Sequence, residues 1–396
     1  MKSANSGQVL QTSHARLSIL SMQSLRAALL KIHRWLGFAA AAFLALLSGT
    51  GLILAFEEPL DRALNRSLTH ISTQGPALSI DQISDTLTRD YPGYSVQRWT
   101  FARDSEETYS VVLRSGSDTQ TIFLDPHTGR TIGNIAQANP LVGTIHRLHT
   151  QILAGPTGKT IVAYSAISLF ILNVSGLILW WRRKISRVQR NKSIAVLRYQ
   201  LHQFAGITAW LGLTIFSITG IVLHWDREIL AALQSGTKVS AQSTQSSPGE
   251  RRHRPESDRR LNADQFIAIA LKRFPGARVT TLDFGGTDSN STRVIMKYPE
   301  DHTPAGRTNL YLDNMTGDTL ESMNSRNGPI EYRFVKVLSR ELHTGSILGW
   351  PSQFFAQVFC IGLLTLAVTG PWMAFARWRN RAPPPRLSAP TFARPN

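Results

Sequence analysis

The stretch His33-Arg-Trp-Leu-Gly-Phe-Ala-Ala-Ala-Ala-Phe-Leu-Ala-Leu-Leu-Ser-Gly-Thr-Gly51 decides the fold, because its outline occurs twice. The second version opens at His202-Gln-Phe-Ala-Gly206 and closes at Ser217-Ile-Thr-Gly220. In both, four residues separate His from Gly and seventeen separate His from Thr, at Thr50 and Thr219. A second pair of segments repeats on its own spacing. His149 of Leu148-His149-Thr150 stands 26 residues before Ser175-Gly176, and His343 of Leu342-His343-Thr344 stands 26 residues before Thr369-Gly370. Repetition in fixed order marks a duplicated unit.

Each repeated stretch borders a long uncharged run. Leu36–Phe56, Thr160–Trp181, Gln203–Leu223 and Phe354–Ala376 are 21 to 23 residues long, and a bilayer core needs roughly 20 apolar residues per helix. The near-zero mean hydropathy of −0.10 averages over this segregation. Four membrane spans follow, and a soluble enzyme is excluded. Charge is segregated too. Residues 1–35, 182–201 and 377–396 hold seventeen basic and no acidic residues, which is the whole net charge of the 396-residue chain. With four spans all three stretches lie on one side, and short basic flanks stay cytoplasmic. Topology therefore explains the high pI, and nucleic-acid binding is not needed. The expected location is the bacterial inner membrane, multi-pass in its lipid, with both termini cytoplasmic. The lone Cys360 excludes an intrachain disulfide and a Cys-rich metal cluster, and no C-x-x-C-H sequence attaches haem covalently. Glu57-Glu58-Pro59 follows the first run where a cleavable leader would carry small residues, so the first span is expected to be retained.

The expected order is a cytoplasmic tail (1–30), a first span (31–56), an outer segment (57–145) and an outer His segment leading into the second span (146–182). A cytoplasmic basic loop (183–200), the third span (201–225), a second outer segment (226–341), a second His segment with the fourth span (342–378) and a tail (379–396) complete it. Both outer segments read as small α+β domains. Helix-like patterns over 79–91 and 262–274 end at Pro92-Gly93 and Pro275-Gly276, with Asn262 as an N-cap. Alternating stretches at 95–101, 108–114 and 119–124, then 277–284, 291–298 and 308–312, read as strands. Leu124-Asp-Pro-His-Thr-Gly129 and Leu312-Asp-Asn-Met-Thr-Gly317 close both sets with similar turns. Residues 236–260 have no counterpart in the first half and read as a flexible linker; residues 1–20 and 380–396 are expected to be disordered. The fold class is thus an α-helical membrane protein with four transmembrane helices and two periplasmic α+β domains. Its halves run in the same direction and should relate by a pseudo-twofold axis along the membrane normal.

Asp, Glu, Lys and Arg are absent from the span cores, and histidine is the polar chemistry that remains. His33 and His202 fall at equivalent cytoplasmic ends; His149 and His343 fall outside, before spans two and four. Two facing neutral imidazoles on different helices can hold a haem iron from both sides. Gly37 and Gly206, one turn on, remove bulk beside the first pair, and Gly49, Gly51 and Gly220 do so deeper in; close helix packing is their other reading. Seventeen residues at ~1.5 Å each put Thr50 about 25 Å along the helix from His33. Two such pairs would give a short electron path across the bilayer. Ala154-Gly155-Pro156 and Gly349-Trp350-Pro351 should break the helices after the outer His residues.

Other residues carry alternatives. A lone His at a helix end is ordinarily an interfacial anchor. His146 and His224 lack repeat partners and stand as alternative ligands or relays, His224 being the substitute if the outer pair is asymmetric. Arg34, Arg147 and Arg340 adjoin the candidates and read equally as haem-propionate contacts or interface anchors. Thr50, Ser175, Thr219 and Thr369 read as helix-packing groups, the span-flanking Trp residues as an aromatic belt, and His127, His253 and His302 as loop residues. No catalytic side chain is assigned.

His33-Arg-Trp-Leu-Gly37 with Thr50-Gly51, its second copy, the Leu-His-Thr segments and the Asp-x-x-Thr-Gly turns resemble the PepSY-associated transmembrane family over residues 30 to 380. The resemblance implies four helices and two outward PepSY-type domains. Some members look like di-haem b reductases of ferric siderophores. Carried over by position, that implies two haem b groups, held by His33 with His202 and by His149 with His343. The expected partner is a ferric siderophore, reduced in the periplasm to release Fe(II). The electron donor would be quinol or a cytoplasmic reductase, since no G-x-G-x-x-G fingerprint is present. Alternatives are a non-enzymatic, membrane-anchored PepSY binding or regulatory protein and a transporter of iron chelates.

Overall fold

The computed structural model describes residues 5–181, 194–236, 260–284 and 290–379, and side chains from Ser24 onward except those of residues 235, 236 and 377. Most of the basic loop, nearly all of the expected linker and the C-terminal tail lie outside the described residues. Four helices are long and apolar enough to cross a membrane: Ser24–Leu54, Gly155–Trp181, Ile194–His224 and Trp350–Ala376. Most of their residues are not buried against protein. That suits lipid, where every backbone group must be satisfied within the helix and apolar side chains face outward. Helix α1 runs from Asn5 to Leu54. It therefore begins well before residue 31, and the expectation of a disordered start is not met from Asn5 onward. No proline precedes Pro59, so nothing in the sequence interrupts the helical hydrogen bonds.

Short helices α2 (Glu57–Leu64) and α3 (Arg66–Thr69) follow, then α4 (Ile80–Asp90) and strands β1 (Ser95–Thr100), β2 (Tyr109–Ser115), β3 (Asp118–Leu124) and β4 (Thr131–Asn134). Helix α5 (Leu141–Gln151) precedes the long α6 (Gly155–Trp181) and α7 (Ile194–His224). The second outer segment contributes α8 (Asp226–Gly236), α9 (Ala263–Arg273) and strands β5 (Arg278–Asp283), β6 (Ser291–Lys297), β7 (Thr308–Asp313) and β8 (Thr319–Met323). Its last helix has three parts: α10 (Ile330–Tyr332), a π-helical stretch (Arg333–Leu338) and α11 (Ser339–Thr344). The long α12 (Trp350–Arg379) ends the described chain.

Helices α4 and α9 start alike because both carry a capping box. Ser79 with Gln82 and Asn262 with Gln265 each satisfy two otherwise unpaired N–H groups. The Asp125 and Asp313 carboxylates accept from backbone two residues on, and Gly129 and Gly317 adopt φ of 70° and 73° that disfavour a side chain. The six strands read from the sequence are present; β4 and β8 were missed, being short and weakly alternating.

All eight strands form one antiparallel sheet in the order β4-β3-β2-β1-β5-β6-β7-β8. The first strands of the two segments pair at its centre, with Arg98 opposite Asp283, Trp99 opposite Leu282 and Thr100 opposite Thr281. One apolar core, including Ile83, Trp99, Leu113, Phe266, Leu282 and Leu310, runs beneath strands of both segments. The two expected α+β segments are thus joined through a shared sheet. The reason is edge chemistry: a four-stranded half would leave β1 or β5 with an open row of N–H and C=O groups, and pairing them closes both. Across the seam the Asp264 carboxylate accepts from the Ile80 and Asp81 amides at the start of α4. Burial and the Asp264 charge push Asp81 above its ordinary value.

By contacts, the residues divide into two compact units. One draws on Met1–Ser48, Ser168–Thr214 and Phe359–Asn396, the other on Gly49–Ile167 and Ile215–Val358.

Candidate functional site

The first unit brings His33 and His202 to one cavity. They sit on α1 and α7, and the cavity measures about 290 Å³, near the lower end of ligand pockets. Its wall contains Gly37, Gly176, Gly206 and Gly370. A Cβ on Gly176 would stand 3.3 Å from His33 Cε1, and one on Gly370 3.6 Å from His202 Cε1. The slot beside each imidazole therefore exists because spans two and four carry glycine there. The sequence reading had assigned bulk removal to Gly37 and Gly206; those face Leu172 and Leu366 at 3.6 Å and shape the cavity further along. Behind each ring stands a hydroxyl. Ser175 Oγ lies 2.8 Å from His33 Nδ1, and Thr369 Oγ1 lies 2.8 Å from His202 Nδ1.

The second unit holds His149 on α5 and His343 on α11, both outside the spans. Their ring centroids are 6.3 Å apart at 62° between planes. Thr50 Oγ1 lies 2.9 Å from His149 Nδ1, and Thr219 Oγ1 lies 2.9 Å from His343 Nδ1. Both helices stop soon after the histidine. Ile152 and Leu153 turn the chain with φ of 42° and 58°, uncommon for such residues, and Gly345 does so after α11 with φ of 71°. The breaks fall slightly before the Gly-Pro and Gly-Trp-Pro positions read from the sequence. Burial, His149 and Arg340 push His343 down to about 3, so its imidazole is neutral at pH 7.

The hydroxyl contacts set the chemistry. Thr219 Oγ1 donates to the Ile215 carbonyl at 2.7 Å, Thr369 Oγ1 to Thr365 at 2.7 Å and Ser175 Oγ to Leu172 at 3.1 Å. With the hydroxyl proton given to the carbonyl, the oxygen accepts from its histidine, whose proton then sits on Nδ1 and leaves the Nε2 lone pair for another partner. A neighbour that fixes tautomer and ring angle in this way is what metal-bound imidazole requires. In the second unit His149 and His343, with centroids 6.3 Å apart, are the residues that would hold such a metal. Among the described residues no cluster of three or more His, Cys, Asp or Glu could hold a metal ion. A two-imidazole donor set beside a largely apolar cavity, as at His33 and His202, suits a metalloporphyrin, which brings its remaining ligands with it. The residues fit such a group.

The remaining candidates separate clearly. His146 Nδ1 pairs with Glu57 Oε1 at 2.8 Å, and this bond raises it above its ordinary value. His224 packs edge-on against Trp225, centroids 4.5 Å apart. Arg34 borders the cavity of the first unit. Arg147 is exposed and donates to Thr144 Oγ1 at 3.1 Å. Arg340 is largely buried near His343. His302 lies 3.7 Å from Glu341, and His253 lies outside the described residues. Trp35, Trp181, Trp350 and Trp378 are exposed near span ends, as an aromatic belt requires.

The sequence reading missed the role of Thr50, Ser175, Thr219 and Thr369. Its signal was present, since the 17- and 26-residue spacings end on these residues. Spacing alone does not say that they point at histidines. A family model, described as the PepSY-associated TM region, matches residues 30–377. No curated protein matches the chain.

Proposed function

Because the chain belongs to the family of the PepSY-associated TM region, we propose that it is an inner-membrane di-haem b reductase of ferric chelates, siderophores among them. In this reading it arose by duplication about a pseudo-twofold axis along the membrane normal. The sheet supports this, with its mirrored strand order and Trp99 set opposite Leu282. So does the repetition of one histidine–hydroxyl pair four times. When bound, two haems supply one-electron carriers, one at the His33/His202 slot and one at the His149/His343 pair.

The chain's own residues bind, orient and insulate. Each histidine presents Nε2. Its hydroxyl partner holds the proton on Nδ1 and stops the ring from turning. Gly176 and Gly370 keep the inner slot open beside the rings, and the apolar spans exclude water. The substrate is Fe(III) held by hard oxygen ligands. One electron converts it to Fe(II), which those ligands bind less strongly, so the metal is released on the periplasmic side. Quinol or a cytoplasmic reductase supplies the electron.

The observation that carries this reading is that the Ser175, Thr219 and Thr369 hydroxyl oxygens each lie within hydrogen-bond distance of both a backbone carbonyl and a histidine Nδ1. The deciding experiment is a reduced-minus-oxidised spectrum of the purified protein with haem counted per chain. Two b-type haems are expected, and His149→Ala should lose one. A colourless protein that tolerates alanine at all four positions would instead favour the non-enzymatic binding role. Uptake of an intact chelate into proteoliposomes would favour transport.

A further inference from the structure

The geometry points to Arg307 and Arg340 as a paired clamp for the propionate carboxylates of the outer haem. This inference rests on the ligation of that haem by His149 and His343 proposed above. Arg340 stands one turn before His343 on α11, and residues three apart share a helix face. Arg307 reaches the same neighbourhood from the turn before β7, where its carbonyl accepts from the Tyr332 hydroxyl.

Both guanidiniums are largely buried, and among the described residues neither has a carboxylate within ion-pair distance. Arg307 Nε is buried without any hydrogen-bond partner. The acids nearest the pair are committed elsewhere: Asp226 to Lys336 at 2.6 Å and Glu57 to His146 at 2.8 Å. Arg293, also nearby, spends Nε and Nη2 on the neutral Asn309 Oδ1 and neutralises nothing. Burial and the Arg340 charge push Arg307 down to about 10, and burial lowers Arg340 as well.

Two largely buried cations, close enough for the charge of one to bear on the other and without an ion pair among the described residues, are costly unless an anion completes them. The planar guanidinium fork matches a carboxylate with two parallel hydrogen bonds. A porphyrin held at His343 carries two carboxylates and would present them within a turn of its ligand.

The test uses the full-length protein, stripped of haem and reconstituted with haem or with haem dimethyl ester, which lacks the acids. Wild type should retain the free acid at the outer site about tenfold or more tightly than the ester, the effect of losing a charge-assisted bond. Arg307→Gln and Arg340→Gln should each erode that preference, and Arg307→Lys should keep part of it. Removing positive charge should also move the outer haem to a lower midpoint potential, with the inner haem of the same sample unmoved as a control for folding. An unchanged ester preference and potential in both Gln variants overturns the clamp. So does a raised KM for anionic chelates with both haem properties intact. If wild type binds no haem that His149→Ala removes, the underlying ligation fails as well, which the first spectrum reveals.

Discussion

The His33/His202 site and the His149/His343 site are built from the same pair of contacts with the parts exchanged. In the first, histidines on α1 and α7 meet hydroxyls on α6 and α12. In the second, histidines on α5 and α11 meet hydroxyls on α1 and α7. The first is an apolar slot bounded by four glycines. The second is flanked by ionisable groups, with Glu57, His146, Arg340 and Arg307 close by. A hydroxyl beside histidine Nδ1 is thus common to both, while the surrounding polarity differs. The comparison suggests that the ligation is one invention used twice and that the tuning is local.

The strongest way to break this comparison is to remove one ligand from each site. His202→Ala should halve the haem content and leave the outer spectrum intact; His343→Ala should do the reverse. Loss of both haems in either variant would show that the sites are not independent. Filling the slot comes next. Gly176→Leu places a branched side chain where a Cβ already lies 3.3 Å from the His33 ring, so the inner haem should be lost while the outer one stays. A normal inner haem in that variant would mean that the slot lies elsewhere.

The hydroxyls should matter less. Thr369→Val and Thr219→Val keep the shape and remove the acceptor. Each should weaken haem retention at its own site by about 10- to 100-fold, the usual effect of losing a partner behind a metal-bound histidine. In a membrane such a bond adds only about 0.6 kcal/mol to folding, so thermal stability should change little. A large stability loss with haem affinity unchanged would return these residues to a packing role.

The smallest effect is a pH dependence confined to the second unit. Glu57 raises His146 above its ordinary value. A raised histidine stabilises the fold fully below its unfolded value and loses that contribution as pH rises through the folded one. Both side chains are more than a third exposed, so the gain is small. Glu57→Gln should lower the melting temperature by no more than about 2 °C at pH 6, with the difference vanishing in alkali. A difference that grows with pH would reverse the assignment.

Much of the architecture was legible in the chain because hydrophobic runs, charge asymmetry and repeat spacing are linear quantities. Four spans, the Asn262 cap and six of the strands follow from them. The early start of α1 departs from the expected disorder of residues 1–20, since no proline interrupts the segment. The four histidines were found by repetition. Their hydroxyl partners were seen but not understood, because a spacing gives a position along a helix and not the direction of a side chain. Arg307 was missed for a related reason: it is one arginine among many until burial leaves its guanidinium without an anion.

Length, apolar period and charge therefore determined the spans and their count, since a bilayer selects for composition along a line. Only the folded chain decided that β1 and β5 join two expected domains into one sheet, because backbone edges are satisfied in space and not in sequence. It alone decided which hydroxyl stands behind which imidazole, because a hydrogen bond depends on distances under about 3 Å between residues roughly 100 to 170 positions apart.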